Sequence, residues 1–402
     1  MSTDRQLQQV VVVGAGVAGI RATETLRQHG YDGALTIVGA ERHGPYHRPP
    51  LSKKLLSSQV HRAGIDMAPQ FDTDARMLRG ATAAWLDMSA RTVQVRDDGQ
   101  NLSLSFDGLV IASGARPRTW PGGPTPDGVL LLRTVDDCLA IRERLGSRPR
   151  IAVVGGGFIG SEVAATCRLM GLDVVLIEKA ASPLLTALGK ELAPRWAELH
   201  RQHGVDLRVG VGVDGFVGNG HVEGVRLTDG SQVPADVVIV GLGVSPATDW
   251  LKGSGLRLDD GVVCDATGAA EGAHNVVAAG DVARWWHPLY ERHLRTEHWA
   301  DAGRQGAAAA RTLLAGPDRA EAFDTVPYFW SDQYDVKVQM IGTPSDYDAV
   351  EIIEGNADGW EFVAAYGRGG RTIAVLGTIP NRVHAYRDAI SDRADFPPKQ
   401  PD

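Results

Sequence analysis

The chain has 402 residues, 43% of them hydrophobic and 22% charged, and a formal net charge of −8. This composition is typical of soluble globular proteins, and the length predicts two or three domains. The negative charge argues against nucleic-acid binding as the main function, and no apolar run approaches the roughly 18 residues of a membrane span.

The N-terminal residues 1–9 are polar and lead directly into the first predicted strand. They lack the apolar segment of a signal peptide, so we expect a cytoplasmic protein without a membrane anchor.

The three cysteines, Cys138, Cys167 and Cys264, lie far apart and form no C-x-x-C or C-x4-C pair. We interpret them as small core residues. Their spacing argues against a dithiol-disulfide reductase and against an intrinsic iron-sulfur cluster.

The first predicted elements form a β-α-β unit, with strands at 10–14 and 34–39 and a helix between them. The strand ends in a G-x-G-x-x-G motif formed by Gly14, Gly16 and Gly19. In that motif the first glycine makes a tight turn and the second lets the backbone approach a pyrophosphate. The third glycine lets the helix pack on the strand. The helix is predicted to bury Ile20, Ala22, Thr23 and Leu26.

A second unit of the same kind covers 151–178 and carries Gly155, Gly157 and Gly160 at the three motif positions. One such motif is weak evidence, whereas two, each between a strand and a helix, predict that the chain holds two dinucleotides. The natural pair is FAD and a nicotinamide nucleotide, which indicates electron transfer. The second unit is predicted to be nested inside the first.

The strand that ends the second unit finishes at Glu178, 18 residues after Gly160. A carboxylate there binds the adenosine ribose hydroxyls and repels a 2′-phosphate, so NADH is favoured over NADPH. A solvated strand-end acid is the alternative, and Lys179 beside it could tolerate a phosphate. In the first unit the matching positions are Gly39 and Ala40, so Glu41 is the ribose candidate there, or a plain loop acid.

Later segments complete these units. A strand at 275–279 leads to Gly280 and Asp281, which are predicted to open a helical segment that faces the FAD pyrophosphate. Asp281 could bind a ribityl hydroxyl, or it could be an ordinary helix cap.

After about residue 323 short strands predict a β-rich domain, closed by a helical pattern at 381–392 and a frayed tail from 397.

Narrower motifs carry a family resemblance over essentially the whole chain. The segments R-P-P-L-S-K (48–53) and Y-F-W-S-D-Q-Y (328–334) accompany the glycine motifs, A-S-G (112–114), A-G-D (279–281) and E-H-W (297–299). Together they resemble the FAD-dependent ferredoxin reductases of bacterial oxygenase systems. These include putidaredoxin reductase, rubredoxin reductase and the reductase components of dioxygenases.

The resemblance implies an α/β fold with two nested Rossmann-like, glutathione-reductase-like domains and a β-rich C-terminal domain. It implies an FAD-binding domain at 1–112 and 246–322, an NAD-binding domain at 113–245 and a C-terminal domain at 323–402. The implied activity is hydride transfer from NADH to FAD, then single-electron transfer to a [2Fe-2S] or related ferredoxin that feeds a monooxygenase or dioxygenase. We expect a monomer or weak dimer.

Carried over to this sequence, the resemblance makes Lys53 and Glu162 a catalytic pair near the flavin N5. Arg133 is expected at the FAD phosphates, Asp281 at the ribityl chain, and Glu297 and Trp299 at the flavin edge. The FAD set is Gly14, Gly16, Ala18, Gly19, Ala40, Glu41, Arg48, Lys53, Ala83, Arg133, Asp281, Glu297 and Trp299. The NAD set is Gly155, Gly157, Ile159, Gly160, Glu162, Glu178 and Gly243.

Trp330 is expected on the surface where ferredoxin docks, with Arg304 and Arg311 in a basic face. Residues 281–311 contain five arginines and four acids, which allows a positive face toward an acidic ferredoxin. Four positions depart from the family pattern: Ala40 replaces an acid, Trp85 is bulky, and Trp285 and Trp286 add aromatics.

Two rival functions are also compatible with these sequence features. An NADH oxidase or peroxidase of the same fold usually has a flavin-side cysteine after the first β-α-β unit, and residues 41–56 contain none. A redox-signalling flavoprotein that resembles apoptosis-inducing factor is the second rival, which the pI near 5.8 disfavours. No metal site is predicted, because His287, His293 and His298 lack metal-ligand spacing.

Overall fold

The computed structural model describes residues 7–401. Residues 1–6, which belong to the polar N-terminal segment, lie outside them. The chain divides into two compact units: unit 1 comprises 1–47, 65–116 and 245–327, and unit 2 comprises 48–64, 117–244 and 328–402. Within residues 7–401, every helix is too short or too polar to cross a membrane.

The described residues form six α-helices joined by strands and short 3-10 turns. The helices are α1 (Val17–Gln28), α2 (Val135–Leu145), α3 (Phe158–Leu169), α4 (Leu185–Gln202), α5 (Trp299–Ala315) and α6 (Arg387–Ser391). The 3-10 turns are Pro49–Ser52, Arg62–Ile65, Asp249–Leu251, Gly280–Val282, Ala357–Gly359 and Arg382–Tyr386. Helix α4 is broken at Gly189, where φ is +79°.

Unit 1 is built on a five-stranded parallel sheet. Strands are numbered along the whole chain, and the sheet contains β1 (Gln9–Val13), β2 (Ala34–Gly39), β3 (Arg76–Arg79), β7 (Gly108–Ile111) and β19 (Val276–Ala278). Their order is β19-β7-β1-β2-β3. Val10 to Val13 are all buried, as expected for a parallel strand covered on both faces. Helix α1 buries Ile20, Ala22, Thr23 and Leu26, which confirms its predicted inner face.

Unit 1 also contains two smaller sheets. One is antiparallel and consists of β4 (Thr82–Asp87), β5 (Thr92–Asp97) and β6 (Gln100–Ser105). The other consists of β18 (Val262–Cys264), β20 (Ala283–His287) and β21 (Arg292–Leu294). The predicted helical segment after Asp281 is wrong: a three-residue 3-10 turn, Gly280–Val282, leads straight into β20. The alternating burial of β20, in which Trp285 is buried and Trp286 exposed, is typical of a strand.

Unit 2 contains the second parallel sheet, in the order β12-β11-β10-β16-β9. Its strands are β9 (Val129–Leu131), β10 (Ile151–Val154), β11 (Val174–Glu178), β12 (Asp206–Val209) and β16 (Val237–Val240). A small antiparallel sheet of β13 (Val213–Val217), β14 (Gly224–Leu227) and β15 (Gln232–Pro234) accompanies it. Two short strands, β8 (Ala115–Pro117) and β17 (Val244–Pro246), lie where the chain passes between the units.

The C-terminal part of unit 2 is an antiparallel sheet in the order β22-β23-β26-β25-β24. Its strands are β22 (Tyr328–Gln333), β23 (Val336–Gly342), β24 (Ala349–Asn356), β25 (Glu361–Arg368) and β26 (Arg371–Gly377). The prediction of a frayed tail from residue 397 is wrong, because Pro398 is buried and the Pro401 carbonyl accepts a 2.9 Å hydrogen bond from Arg382.

The α/β class, the nested order and the β-rich C-terminal sheet are confirmed, because β19 returns to the first sheet after the second is complete. The boundaries of the two compact units nevertheless differ from those of the predicted domains. The C-terminal sheet and α4 share one hydrophobic core in unit 2, with Trp196 and Phe362 inside it. Residues 48–64 also belong to unit 2, although they were predicted in the FAD-binding domain. The three-domain division stays a prediction.

Candidate functional site

Each parallel sheet ends in a glycine turn with the same internal packing. Gly14 and Gly155 have φ values of +124° and +101°, which side-chain-bearing residues rarely adopt. A Cβ on Gly14 would collide with the Ala112 carbonyl oxygen, and one on Gly155 with that of Gly241. The A-S-G segment (112–114) therefore has a structural role, since the backbone of its first residue, Ala112, packs against the first glycine turn.

The third glycines are also required by packing within the protein. A Cβ on Gly19 would collide with the Gly14 carbonyl oxygen, and one on Gly160 with that of Gly155. The middle glycines are different. A Cβ on Gly16 or Gly157 would meet no atom within 4 Å, and their φ values of −78° and −70° suit any residue. Each helix start therefore leaves open the space beside its second glycine, which fits a pyrophosphate held by backbone.

Glu178 lies beside the second glycine turn. Its carboxylate accepts hydrogen bonds from the backbone N–H groups of Gly156 and Ala180, both at 2.6 Å. These contacts place a half-buried carboxylate at the carboxyl end of β11, next to the open position at Gly157. That is the position from which an acid binds ribose hydroxyls in this class of site.

The first unit carries its acid in another arrangement. Ala40 is exposed at the end of β2, and half-buried Glu41 follows it. Tyr46 donates a 2.5 Å hydrogen bond to the Glu41 carboxylate. The tyrosine thus orients a carboxylate near the end of β2, and the ribose role of Glu41 stays a prediction.

Lys53 and Glu162 form a buried ion pair in unit 2, with 2.6 Å between Lys53 Nζ and Glu162 Oε2. Their side chains are 16% and 4% exposed. Lys53 follows the Pro49–Ser52 turn, and Glu162 lies in the second turn of α3. The backbone of this turn is tied to unit 2, because Thr166 donates a 2.8 Å bond to the Ser52 carbonyl. The structure therefore brings the two predicted catalytic residues into contact.

Two arginines expected at FAD also lie together in unit 2. Arg48 Nη1 donates a 2.8 Å hydrogen bond to the Arg133 carbonyl oxygen. The Arg133 N–H in turn binds the side chain of Asp137, which also caps α2 together with Thr134. The loop before α2 is thereby held beside the R-P-P-L-S-K segment.

The remaining predicted FAD residues lie in unit 1. Arg295 donates to the Glu297 carboxylate at 2.8 Å and to the Asp281 backbone carbonyl at 3.4 Å, so one arginine holds both the Glu297 side chain and the backbone at Asp281. Trp299 begins α5, and its ring packs against His47 with 5.3 Å between centroids. Gln305 on α5 accepts the Gly280 N–H at 2.9 Å, which fixes the turn that carries Asp281.

Several predicted residues have simpler surroundings. Ala18 is buried on α1, and Ala83 is half-buried on β4. Ile159 is 48% exposed in the first turn of α3, and Gly243 is exposed after β16. Among the departures, Trp85 is 49% exposed, whereas Trp285 is buried and donates to the Ala278 carbonyl at 2.9 Å.

The basic face is largely neutralised within unit 1. Arg284 pairs with Asp259, Arg295 with Asp260 and Glu297, and Arg304 with Asp301 at 3.6 Å. Arg311 is exposed on α5. Trp330 lies on β22 in unit 2, half-buried, and stacks on Tyr328 at 5.9 Å. The docking role of these residues stays a prediction, and the ion pairs weaken its electrostatic part.

All three cysteines are buried, as predicted. Burial raises the pKa of Cys138 to about 11 and that of Cys167 to about 12, so neither is a thiolate at neutral pH. Within residues 7–401, the His, Cys, Asp and Glu side chains form no cluster of three or more that could hold a metal.

Sequence reasoning missed the residues that surround the predicted ones. These include Ser52 and Ser331 at Glu162, Gln333 behind Ser331, and Gln305 beside Gly280. For Ser331 and Gln333 a signal existed, because they lie two positions apart in a strand, which places both side chains on the same face of the sheet. The other contacts join residues that are distant in sequence, so no local pattern could reveal them.

Comparison with known proteins decides the family. Residues 8–306 match the profile of the pyridine nucleotide-disulphide oxidoreductases, and residues 328–401 match a reductase C-terminal domain. The chain belongs to the pyridine nucleotide-disulphide oxidoreductase family. This membership confirms the predicted resemblance and the fold. The buried, separated cysteines show that this member lacks the cysteine pair that its family name implies.

Relatives within the family match nearly the full chain. The ferredoxin–NAD(+) reductase component of an anthranilate 1,2-dioxygenase system from Burkholderia cepacia is 37% identical over 97% of this chain and 96% of its own. Putidaredoxin reductase CamA from Pseudomonas putida is 33% identical over 97% and 93%. A crystal structure of a covalent putidaredoxin reductase–putidaredoxin complex matches with a TM-score of 0.89, 31% identity and coverage of 96% and 93%.

Proposed function

We propose that this oxidoreductase is an NADH-dependent ferredoxin reductase that uses FAD and passes electrons to a small iron-sulfur ferredoxin of an oxygenase system. The observation that carries the proposal is the pair of glycine turns, each with an open space at its middle glycine. Full-length similarity to ferredoxin reductase components supports the same assignment. A cytoplasmic location and a monomer or weak dimer are part of the proposal.

When bound, FAD would accept a hydride from NADH and release the electrons singly to the ferredoxin. The residues of the chain would bind the two nucleotides and orient them. The turn at Gly14–Gly19 would hold the FAD pyrophosphate, and the turn at Gly155–Gly160 the NADH pyrophosphate. The Lys53–Glu162 pair would supply a fixed charge pair beside the reacting rings, shielded from water by its burial.

Glu178→Ala should narrow the preference for NADH over NADPH. In the wild type the Glu178 carboxylate lies beside the glycine turn, where it binds ribose hydroxyls and repels a 2′-phosphate. Its removal loses affinity for NADH and removes the repulsion of NADPH, so we expect the ratio of the two kcat/KM values to fall about tenfold or more. Steady-state reduction of ferricyanide with each nucleotide measures the ratio.

Glu178→Gln is the matched control, because it keeps the size of the side chain and removes only its charge. It should shift the ratio in the same direction and keep the Gly156 contact through its one oxygen, while the Ala180 N–H loses its acceptor. A wild-type enzyme that uses NADPH as efficiently as NADH would show that Glu178 is a strand-end acid without a ribose role.

Trp330→Ala should slow electron transfer to ferredoxin about tenfold or more and leave NADH–ferricyanide activity unchanged. The physical reason is that aromatic side chains at interfaces often contribute most of the binding free energy, whereas ferricyanide needs no docking surface. Cytochrome c reduction through the ferredoxin and direct ferricyanide reduction measure the two activities. We also expect the ferredoxin rate to fall only modestly with salt, because Arg284, Arg295 and Arg304 are paired with acids.

Phe71→Ala is the control for this experiment, because Phe71 is another large aromatic residue, is 43% exposed and has no assigned role. Equal losses with both acceptors in Trp330→Ala would place the tryptophan in support of the fold. A steep loss of rate with salt would instead favour a basic docking face with exposed Arg311 as a first candidate.

The rival functions are separated by one mixing experiment with NADH, oxygen and a panel of ferredoxins. A ferredoxin reductase reduces cytochrome c only when a ferredoxin is present. An NADH oxidase consumes oxygen at a comparable rate without one, and a redox-signalling flavoprotein does neither at an enzymatic rate. The buried, unreactive cysteines disfavour the oxidase or peroxidase reading.

A further inference from the structure

Strand β22 carries a row of buried polar side chains toward Glu162. Its residues Ser331 and Gln333 are 0% and 1% exposed, whereas the neighbours Trp330 and Asp332 on the alternating positions are only half-buried. A strand in a protein core normally presents apolar side chains at its buried positions. Two adjacent buried polar positions therefore require partners that satisfy them.

Glu162 is the first partner. Its Oε2 accepts hydrogen bonds from Lys53 Nζ at 2.6 Å and from Ser52 Oγ at 2.5 Å. Its Oε1 accepts a 2.7 Å bond from Ser331 Oγ. Lys53 and Ser331 thus bind opposite oxygens of one carboxylate, so the Ser331 bond determines which way the carboxylate plane is turned toward Lys53.

Gln333 continues the row behind Ser331. Its Nε2 lies 3.3 Å from Ser331 Oγ and donates to it, which leaves the serine hydroxyl proton for Glu162. Ser331 can donate only one proton. If Gln333 donates to it, the hydroxyl proton must point at Glu162 Oε1, and the direction of this bond is fixed.

His200 on α4 completes the row. Buried His200 Nε2 and buried Gln333 Oε1 each lack a hydrogen-bond partner within normal range among residues 7–401. Gln333 nevertheless acts on the His200 pKa in the raising direction, as expected where an acceptor oxygen faces a ring N–H. His200 Nδ1 lies 2.9 Å from the Tyr334 hydroxyl. Burial lowers the pKa of His200 to about 4, so the ring is neutral at pH 7 with one donor and one acceptor. A donating tyrosine at Nδ1 leaves the proton on Nε2, which matches the Gln333 oxygen.

We propose that Ser331 is a positioning residue for Glu162, held by a hydrogen-bond row that runs in one direction from Tyr334 through His200 and Gln333. The row turns the Glu162 carboxylate so that Oε2 binds Lys53. The C-terminal sheet thereby sets the geometry of the Lys53–Glu162 pair. The kinetic consequence of this proposal rests on the proposed function. Its structural consequence rests on the hydrogen bonds alone.

The kinetic test is a double-mutant cycle on the FAD-loaded enzyme. Ser331→Ala should lower the limiting rate of flavin reduction by NADH about tenfold, equivalent to about 1.4 kcal/mol. The concentration of NADH at half-saturation should change less than about twofold, because the change acts on a charge pair and not on the nucleotide contacts. Ser331→Thr keeps the hydroxyl and should restore most of the rate.

In a Glu162→Gln background, Ser331→Ala should change the rate less than about twofold, since the carboxylate on which Ser331 acts is already gone. Asp332→Ala, on the other face of β22, is the matched control and should leave the rate unchanged. Equal effects of Ser331→Ala with and without Glu162 would overturn the proposal, because they would show that the serine only supports the fold.

The structural test does not depend on NADH. Nitrogen NMR of the FAD-loaded protein labelled in histidine, with a His200→Asn variant for assignment, reports which ring nitrogen carries the proton. We expect the neutral Nε2–H form of His200 at pH 7. An Nδ1–H form would reverse the row and overturn the proposal. If the wild-type flavin is not reduced by NADH, the proposed function fails, and this measurement still decides the direction of the row.

Discussion

Lys53→Met and Glu162→Gln should each slow the reduction of bound flavin by NADH about 100-fold while FAD stays bound. The two side chains form a 2.6 Å ion pair that is almost completely buried. A fixed charge pair in a site of low dielectric acts more strongly on a developing charge than it would in water. Stopped-flow measurement of flavin bleaching by NADH gives the rate.

These two substitutions are preferable to alanine because the site is buried and alanine would also leave a cavity. Either one still removes a partner of a buried ion pair, which typically costs about 3–5 kcal/mol because the other charge is left uncompensated. Glutamine keeps the shape of Glu162 and can still accept bonds from Ser52 and Lys53. Methionine fills the volume of the Lys53 side chain.

Lys54→Met is the matched control for Lys53, because Lys54 is the next residue in the chain and is exposed. It should leave the rate within about twofold of the wild type. Rates that are unchanged in both Lys53→Met and Glu162→Gln would reduce the pair to a structural bridge between α3 and the R-P-P-L-S-K segment.

The parts of the fold that sequence predicted well are those determined by local rules. Buried strands such as Val10–Val13 and the glycine turns that follow them depend on the side-chain period and on φ values above zero. Both β-α-β units therefore have the predicted order and nearly the predicted bounds. The prediction for the segment after Asp281 failed because the Gly280–Val282 turn does not continue into a helix, whereas the alternation of Ala283, Trp285 and His287 into the core is typical of a strand.

The candidate site was predicted in part for the same reason. Motifs identify the residues that are expected to approach the cofactors through the backbone, such as Gly16 and Gly157. They do not identify residues that act through side-chain contacts between distant segments. Ser331 reaches Glu162 across 169 positions of sequence, so the contact depends on tertiary packing alone. The assignment of residues 48–64 to unit 2 has the same origin, because Thr166 and Glu162 hold that segment through contacts that no local pattern encodes.

The middle glycines lead to the last prediction: Gly157→Val should lower the affinity for NADH about 100-fold and leave FAD bound, while Gly16→Val should yield protein without FAD. The backbone at both positions suits any residue, and a Cβ there meets no protein atom within 4 Å. The valine side chain would occupy the space that we assign to the pyrophosphate. A loss of that size corresponds to about 2.7 kcal/mol of binding free energy.

The two variants are controls for each other, because each should lose one nucleotide and keep the other. Urea unfolding of the FAD-free variants, compared with FAD-free wild type, should show a loss of stability of about 1 kcal/mol or less, mainly from replacing glycine at a helix start. Gly19→Val and Gly160→Val should instead prevent folding of their units, since a Cβ at either position collides with a backbone carbonyl. Full FAD content in Gly16→Val would show that the first glycine turn does not hold the FAD pyrophosphate, and unchanged NADH affinity in Gly157→Val would show the same for the second.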